Sequence, residues 1–255
     1  LFPEIGTWLI GVIVLFLVFY AVMGGFRIVV GVCFFGFLLP IVALTPVLVA
    51  PLSYAHFDNL FPLMNHSVGD LLRAGKDLTM AFLGFEGLLI AYPFIQRPRA
   101  SQKWAHFANL FTIFFYLLIT IIMFVYFSED QLKTLLWPKL TLVQLTHLPF
   151  LKGFEFVFIP LWLLVILPNI TFAVWAASRA AKELFHVKQQ KTLLAMLICV
   201  FVPPLFISNY GEMTQFNQFT SQYGFYFLCF YLVVVWVVQR IRGMLGKSNK
   251  QTAIS

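Results

Sequence analysis

The chain alternates between long apolar stretches and short polar segments. A helix needs about 20 apolar residues to cross a bilayer, and seven stretches approach or exceed that length. We predict transmembrane spans at residues 5–23, 28–51, 78–95, 104–127, 154–178, 192–208 and 219–238. The pattern therefore predicts an all-α integral membrane protein, with one transmembrane domain over residues 1–242 and a disordered cytoplasmic tail at residues 243–255.

Composition supports this interpretation. The chain is 61% hydrophobic and 11% charged, whereas soluble domains carry roughly 25% charged residues. Because this number of charged residues is too small to cover a globular surface, lipid must contact much of the protein. The net charge of +7 is spread over several interhelical segments instead of one soluble face, which argues against a nucleic-acid partner.

The basic residues predict the direction of the spans, because Lys and Arg in short loops stay on the cytoplasmic side. Alternate connections and the C-terminal segment hold 12 of the 17 Lys and Arg residues. This orientation places the C-terminus in the cytoplasm and Leu1 outside. The sequence starts without Met or a secretion signal, so we expect further spans, in odd number, upstream of Leu1. The 12 residues are Arg27, Arg97, Arg99, Lys103, Arg179, Lys182, Lys188, Lys191, Arg240, Arg242, Lys247 and Lys250.

The third apolar stretch contains the segment GFEG, in which Glu86 lies between Gly84 and Gly87. A carboxylate at the centre of a membrane helix costs about 2.5–3.5 kcal/mol on insertion scales, and glycine weakens a helix by about 1 kcal/mol. Interrupted helices are tolerated in membranes where the freed backbone faces protein or a water-filled cavity. We therefore predict a broken helix with a polar pocket here.

Proline marks weaker candidates for interruption in three other spans. They are Pro40, Pro46 and Pro51 in the second, LPNIT in the fifth, and Pro203 and Pro204 in the sixth. A simple kink is the alternative for each of these spans.

Two interpretations of Glu86 remain open at this level. It either pairs with a cation on a neighbouring helix and serves packing, or it serves a ligand or a proton. Lys and Arg are absent from the deep parts of the predicted spans, which favours the functional interpretation. The histidines and cysteines show no repeated ligand spacing, so we expect neither a metal, nor a cofactor, nor a catalytic site.

Several long stretches resemble one family. AFLGFEGLLIAYPFI is followed at once by QRPRASQKW, and PLWLLVILPNITFAVWAASRAAKELF and PPLFISN come later. The chain resembles the B-subunit of bacterial spore germinant receptors, within the amino acid/polyamine/organocation transporter superfamily. The resemblance implies a ten-helix, LeuT-like fold of two inverted five-helix repeats, of which this chain matches helices four to ten.

The resemblance also implies a site. Phe82, Leu83, Gly84, Phe85 and Glu86 match the unwound stretch that faces the ligand in such transporters. Gly84 and Gly87 would permit the unwinding, and Phe82 and Phe85 would shape a side-chain pocket. The span with LPNIT would pack beside the site and contribute Asn169 and Thr171.

The leading hypothesis is a membrane subunit of a nutrient germinant receptor in the bacterial spore inner membrane. It would bind a small germinant, an amino acid or other nutrient, and act with A and C receptor subunits and membrane lipid. It would not be an enzyme. One alternative is a proton-coupled amino acid permease, with Glu86 as the proton carrier. Another is a seven-helix receptor that is complete as it stands.

Overall fold

The computed structural model describes residues 7–61, 66–82, 84, 86–145, 154–207 and 209–252. The described residues form helices and no strand, which confirms the all-α fold class. The α-helices are α1 Thr7–Met23, α2 Phe26–Val49, α3 Val68–Asp77, α4 Thr79–Phe82, α5 Gly87–Ala91, α6 Pro98–Tyr126, α7 Glu129–Thr134, α8 Pro138–Leu145, α9 Phe154–Phe185, α10 Gln189–Phe201 and α11 Tyr210–Thr252. Short 3₁₀ helices cover Ala50–Tyr54, Phe57–Leu60, Tyr92–Phe94 and Pro203–Phe206.

Among the described residues, five helical segments are long and apolar enough to cross a membrane. They are Phe26–Ala43, Pro98–Tyr126, Pro160–Phe185, Gln189–Phe206 and Tyr210–Ile241. The first predicted span forms a shorter apolar helix, Trp8–Met23, and the third is interrupted, so the count of seven stays a prediction. Large apolar side chains point outward on these helices; Trp104 and Phe230 are each 74% exposed. Such surfaces fit lipid and not water.

The chain divides into two compact units. The first comprises Leu1–Leu63 and Glu86–Leu205, and the second comprises Met64–Phe85 and Phe206–Ser255. The boundary between Phe85 and Glu86 falls inside the GFEG segment. The prediction of one transmembrane domain over residues 1–242 stays a prediction.

Helix α9 is the central element of the first unit and packs against α1, α2, α5 and α10. It approaches α2 closely at Gly36, where an added Cβ would overlap the ring of Pro168 and lie 2.7 Å from the Leu164 carbonyl oxygen. Proline has no N–H to donate to the carbonyl four residues earlier, so Pro168 leaves that oxygen without its helical donor. The absence of a side chain at Gly36 lets the two backbones meet there. The buried core includes Val14, Val18, Val22, Val29, Val174, Trp175, Leu193 and Leu197.

In the second unit, α11 packs against α3 and α4. The Ser221 hydroxyl lies 3.1 Å from the carbonyl oxygen of Lys76 and 3.2 Å from that of Asp77, so it satisfies carbonyls at the end of α3. The Lys76 ammonium lies 4.9 Å from the ring centroid of Tyr226. Together these contacts fix the C-terminal end of α3 against α11.

In the described part of the chain, four prolines lie inside α-helices that continue past them. Helix α2 passes through Pro40 and Pro46, and α9 passes through Pro160 and Pro168. Of the two alternatives left open at LPNIT, the structure shows the uninterrupted helix, because packing against neighbouring helices compensates for the lost hydrogen bond. The helix type changes at prolines in the second and sixth spans. Helix α2 ends at Val49, before the 3₁₀ helix Ala50–Tyr54 that contains Pro51, and α10 ends at Phe201, before the 3₁₀ helix that begins at Pro203.

The last helix is longer than its predicted span of residues 219–238. Its backbone is helical through Thr252, across most of the segment for which the sequence predicts a disordered tail. Extending an existing helix requires no new nucleation. The polar residues after Arg242 therefore extend the helix that the apolar span forms.

Candidate functional site

The third predicted span is broken, as the GFEG segment predicts. Helix α4 ends at Phe82, and α5 begins at Gly87. Between them Gly84 has φ +117°, a conformation that glycine adopts readily and other residues rarely do. Leu83 and Phe85, two of the predicted site residues, lie outside the described residues.

Two small residues allow α5 to pack closely against α9. Gly87 is buried, and an added Cβ would overlap the ring of Phe172. Ala91, one turn later, is only 5% exposed and belongs to the core around Trp175. Small residues spaced by four let the backbones of membrane helices approach closely. The short helix after the break is therefore docked on α9 along its Gly87–Ala91 face.

An aromatic cluster extends this contact. The ring of Trp175 lies 4.7 Å from Phe26, 5.4 Å from Phe94 and 6.0 Å from Phe172, between centroids. The Arg179 guanidinium lies 5.5 Å from the centroid of Phe94, a cation–π arrangement. The cluster joins the 3₁₀ helix Tyr92–Phe94 to α9 and the start of α2. The sequence indicates a packing role for Trp175 but not its partners.

Thr171 is the most unusual polar residue of this region. Its side chain is fully buried, and its hydroxyl has no hydrogen-bond partner among the described residues. It directly precedes Phe172, whose ring covers Gly87. A buried hydroxyl without a partner costs about 1–3 kcal/mol, so this position requires an explanation.

Asn169, predicted beside Thr171, lies on a different face. It is exposed, and its amide nitrogen donates to the Val165 carbonyl oxygen of its own helix at 3.1 Å. Two residues of helix turn the chain by roughly 200°, so the structure does not bring Asn169 and Thr171 together.

The spacing along α9 explains which residues face inward. Pro168, Thr171, Trp175 and Ser178 are all buried and recur every three or four residues, the period of one helix face. Small and polar residues at this spacing mark a helix–helix interface in membranes. Asn169 is out of this register, but the sequence alone does not show which face of α9 packs inward.

Glu86 is partly buried and directly precedes α5, with its carbonyl oxygen accepting from the Leu89 N–H at 3.0 Å. Its side chain makes no capping hydrogen bond to α5. Of the predicted site residues, Glu86, Gly87, Asn169 and Thr171 belong to the first unit, whereas Phe82 and Gly84 belong to the second.

A family model described as "Spore germination protein" matches residues 1–213. The chain belongs to this family. The resemblance found in the sequence is thereby confirmed at the level of the family, and no solved structure matches the chain.

Curated relatives carry the same description. The chain is 38% identical to spore germination protein GerQB of Bacillus cereus over 94% of its length and 66% of the relative's. It is 23% identical to spore germination protein A2 of Bacillus subtilis over 79% of its length and 58% of the relative's. The chain is 22% identical to spore germination protein B2 of the same species, over 78% of its own length and 51% of the relative's. The chain therefore spans less than two thirds of the length of these relatives.

Proposed function

We propose that this spore germination protein is a membrane subunit of a nutrient-sensing receptor in the spore inner membrane. A small germinant, an amino acid or a comparable nutrient, binds beside the interrupted helix. Binding shifts the population between two conformations, and partner subunits of the A and C type respond to that shift. Neither covalent chemistry nor a cofactor is part of this proposal. The ten-helix, LeuT-like fold and the cytoplasmic C-terminus also belong to the proposal.

The buried hydroxyl of Thr171 is the observation that carries it. Thr171 is fully buried, and its hydroxyl has no partner among the described residues. The next residue, Phe172, contacts the start of α5 at Gly87. A ligand that enters beside the break and hydrogen-bonds this hydroxyl recovers a desolvation cost that the protein already bears. A sensor requires a ligand that binds one conformation better than the other, and this hydrogen bond would favour the conformation in which the Thr171 hydroxyl faces the ligand.

The test is Thr171→Val, which keeps the shape of the side chain and removes the hydroxyl. Because an unsatisfied hydroxyl disappears, we expect thermal stability of the purified protein to stay equal or to rise. We expect the germinant concentration for half-maximal germination of spores carrying the variant to rise about tenfold, the equivalent of one hydrogen bond to the ligand.

Two further variants make this test specific. Thr171→Ser restores a hydroxyl and should recover most of the response. Asn169→Leu alters an exposed amide that bonds within its own helix and should respond like the unaltered protein. A Thr171→Val protein that is present in the membrane and germinates at unaltered germinant concentrations would contradict the assignment of the site.

A proton-coupled amino acid permease is the second candidate, favoured by the carboxylate of Glu86 at the helix break. Both candidates use the same site, and only the coupling differs. Uptake of labelled amino acids into proteoliposomes with an imposed proton gradient separates them. Accumulation that depends on the gradient and is abolished by Glu86→Gln supports the permease, and binding without accumulation supports the sensor.

A further inference from the structure

A cavity of about 440 Å³ lies in the first unit between two helical turns. One turn connects α1 to α2 at Gly24 and Gly25, and the other connects α9 to α10 at residues 186–188. Its volume is within the range of small-molecule sites, about 300–1,000 Å³. The described residues of the proposed germinant site do not line this cavity.

The lining of the cavity combines two kinds of residue. Its apolar members are Val22, Met23 and Leu193. Its polar members are Lys182 and Lys188, which are charged, and Gln189 and Gln190, which carry amides. A ligand that fits must therefore offer an anion next to an apolar body.

The positive charge of the cavity is not neutralised by the described part of the chain. Neither Lys182 nor Lys188 takes part in an ion pair there. The nearest carboxylate in sequence, Glu183, is paired with Arg179 at 2.9 Å. Arg27 and Lys191 lie within a few residues of the lining and add to the positive potential.

The location indicates where such a ligand comes from. The cavity lies at the ends of four apolar helices, in the connections where basic residues concentrate, and this is the level of lipid headgroups. Met23 is 40% exposed and offers an apolar surface beside the lysines. A free inorganic anion would use the lysines but would gain nothing from the apolar residues of the lining. Basic pockets between transmembrane helices bind anionic headgroups.

We propose that this cavity binds the phosphate of an anionic glycerophospholipid, with Lys182 and Lys188 on the phosphate and Met23 beside the glycerol and upper acyl chain. The bound lipid bridges the α1–α2 and α9–α10 turns, and it therefore stabilises the packing of these four helices around the core.

The experiment uses the protein with its complete natural sequence, reconstituted in nanodiscs of phosphatidylcholine with a defined fraction of phosphatidylglycerol. Native mass spectrometry counts the phosphatidylglycerol molecules that stay bound. We expect the double variant Lys182→Gln and Lys188→Gln to lower the apparent affinity for phosphatidylglycerol about tenfold or more. The pair Lys182→Arg and Lys188→Arg should retain it.

The matched control is Arg99→Gln with Lys103→Gln, which removes the same charge from a different basic connection, at the start of α6, and leaves the cavity lining intact. We expect it to lose clearly less affinity. Equal losses in both double variants would mean diffuse attraction of the whole basic face, and no loss in either would exclude the site. Both results overturn the proposal.

Two more measurements test the charge of the lining and the source of the anion. Gln190→Glu places a carboxylate at an exposed position of the lining, where folding is not at risk, and should weaken retention. Thermal unfolding tests the source of the anion. It is measured in nanodiscs of pure phosphatidylcholine with inorganic phosphate added, and in nanodiscs that contain phosphatidylglycerol. If inorganic phosphate stabilises the protein as much as phosphatidylglycerol does, the ligand is a free anion and the lipid assignment is wrong.

Discussion

At Gly87 the protein depends on the absence of a side chain, and at Thr171 it carries a polar group without a described partner. The ring of Phe172 occupies the space in which a Cβ at Gly87 would lie. Thr171 is its neighbour in sequence and is completely buried. The closely packed ring of Phe172 and the unsatisfied hydroxyl of Thr171 thus belong to adjacent residues of α9, next to the helix break.

Gly87→Ala should destabilise the protein by about 1–3 kcal/mol, the usual cost of adding a methyl group to a packed core. Helix propensity alone predicts the opposite sign, since alanine favours a helix over glycine by about 1 kcal/mol. Thermal unfolding of the detergent-solubilised protein measures the difference.

Gly31→Ala is the matched control, because a Cβ at Gly31, in α2, meets nothing within 4 Å. It should leave stability equal or raise it. Equal effects of the two substitutions would show that the contact with Phe172 does not restrict position 87.

At the level of elements, helix ends are determined by local chemistry. Helix α3 begins with a capping box, in which the Ser67 hydroxyl accepts from the Asp70 N–H and the Asp70 carboxylate accepts from the Ser67 N–H. Helix α7 begins in the same way with Ser128 and Gln131. Both boxes are readable in the sequence. The box at Ser67 also gives Asp70 a structural role at the start of α3.

Ser67→Ala should weaken the start of α3 by about 1 kcal/mol, the typical contribution of a serine N-cap. Hydrogen–deuterium exchange should therefore speed up about fivefold for the amides of α3. Exchange in α7 should not change, and Ser128→Ala should give the reciprocal pattern. Identical exchange in α3 before and after the substitution would refute a contribution from the cap.

Acidification should loosen the same helix. Hydrogen bonds from the side chain and backbone of Ser67 lower the pKa of Asp70. Because the pKa is lower in the folded state, the contribution to stability is present above the ordinary carboxyl pKa, about 4. It is lost as the pH falls through the lowered value. A spin label at Leu72→Cys should gain mobility in this range, whereas adding Asp70→Asn should remove the pH dependence.

At the scale of the whole molecule, two compact units share one chain, and the boundary between them falls in the interrupted stretch. The first unit holds its helices around α9 with an apolar core and an aromatic cluster. The second unit holds α3 and α4 on α11. The match to the spore germination family includes residues of both units, since the family model covers residues 1–213.

The distribution of basic residues predicts one orientation for the whole chain. In a background from which Cys33, Cys199 and Cys229 have been removed, Gln102→Cys should react with an impermeant thiol reagent only after the membrane is permeabilised. His66→Cys should react in intact cells. Both positions are exposed, so accessibility reports the side of the membrane. The reversed pattern would show that the positive-inside assignment is wrong.

The sequence by itself determined the class of the protein, the family and the place of the helix break. These depend on local features: apolar length, long family-like stretches, and glycines on both sides of a carboxylate in GFEG.

Only the tertiary structure decided which polar residues of α9 face inward. Thr171 is buried and Asn169 is exposed, although LPNIT presents both as equal candidates. It also decided that α9 continues through Pro168, where Gly36 of another helix packs against the proline ring. These outcomes depend on partners more than 80 residues away in sequence, such as Gly87 for Phe172, and a local pattern does not encode which helix supplies the contact.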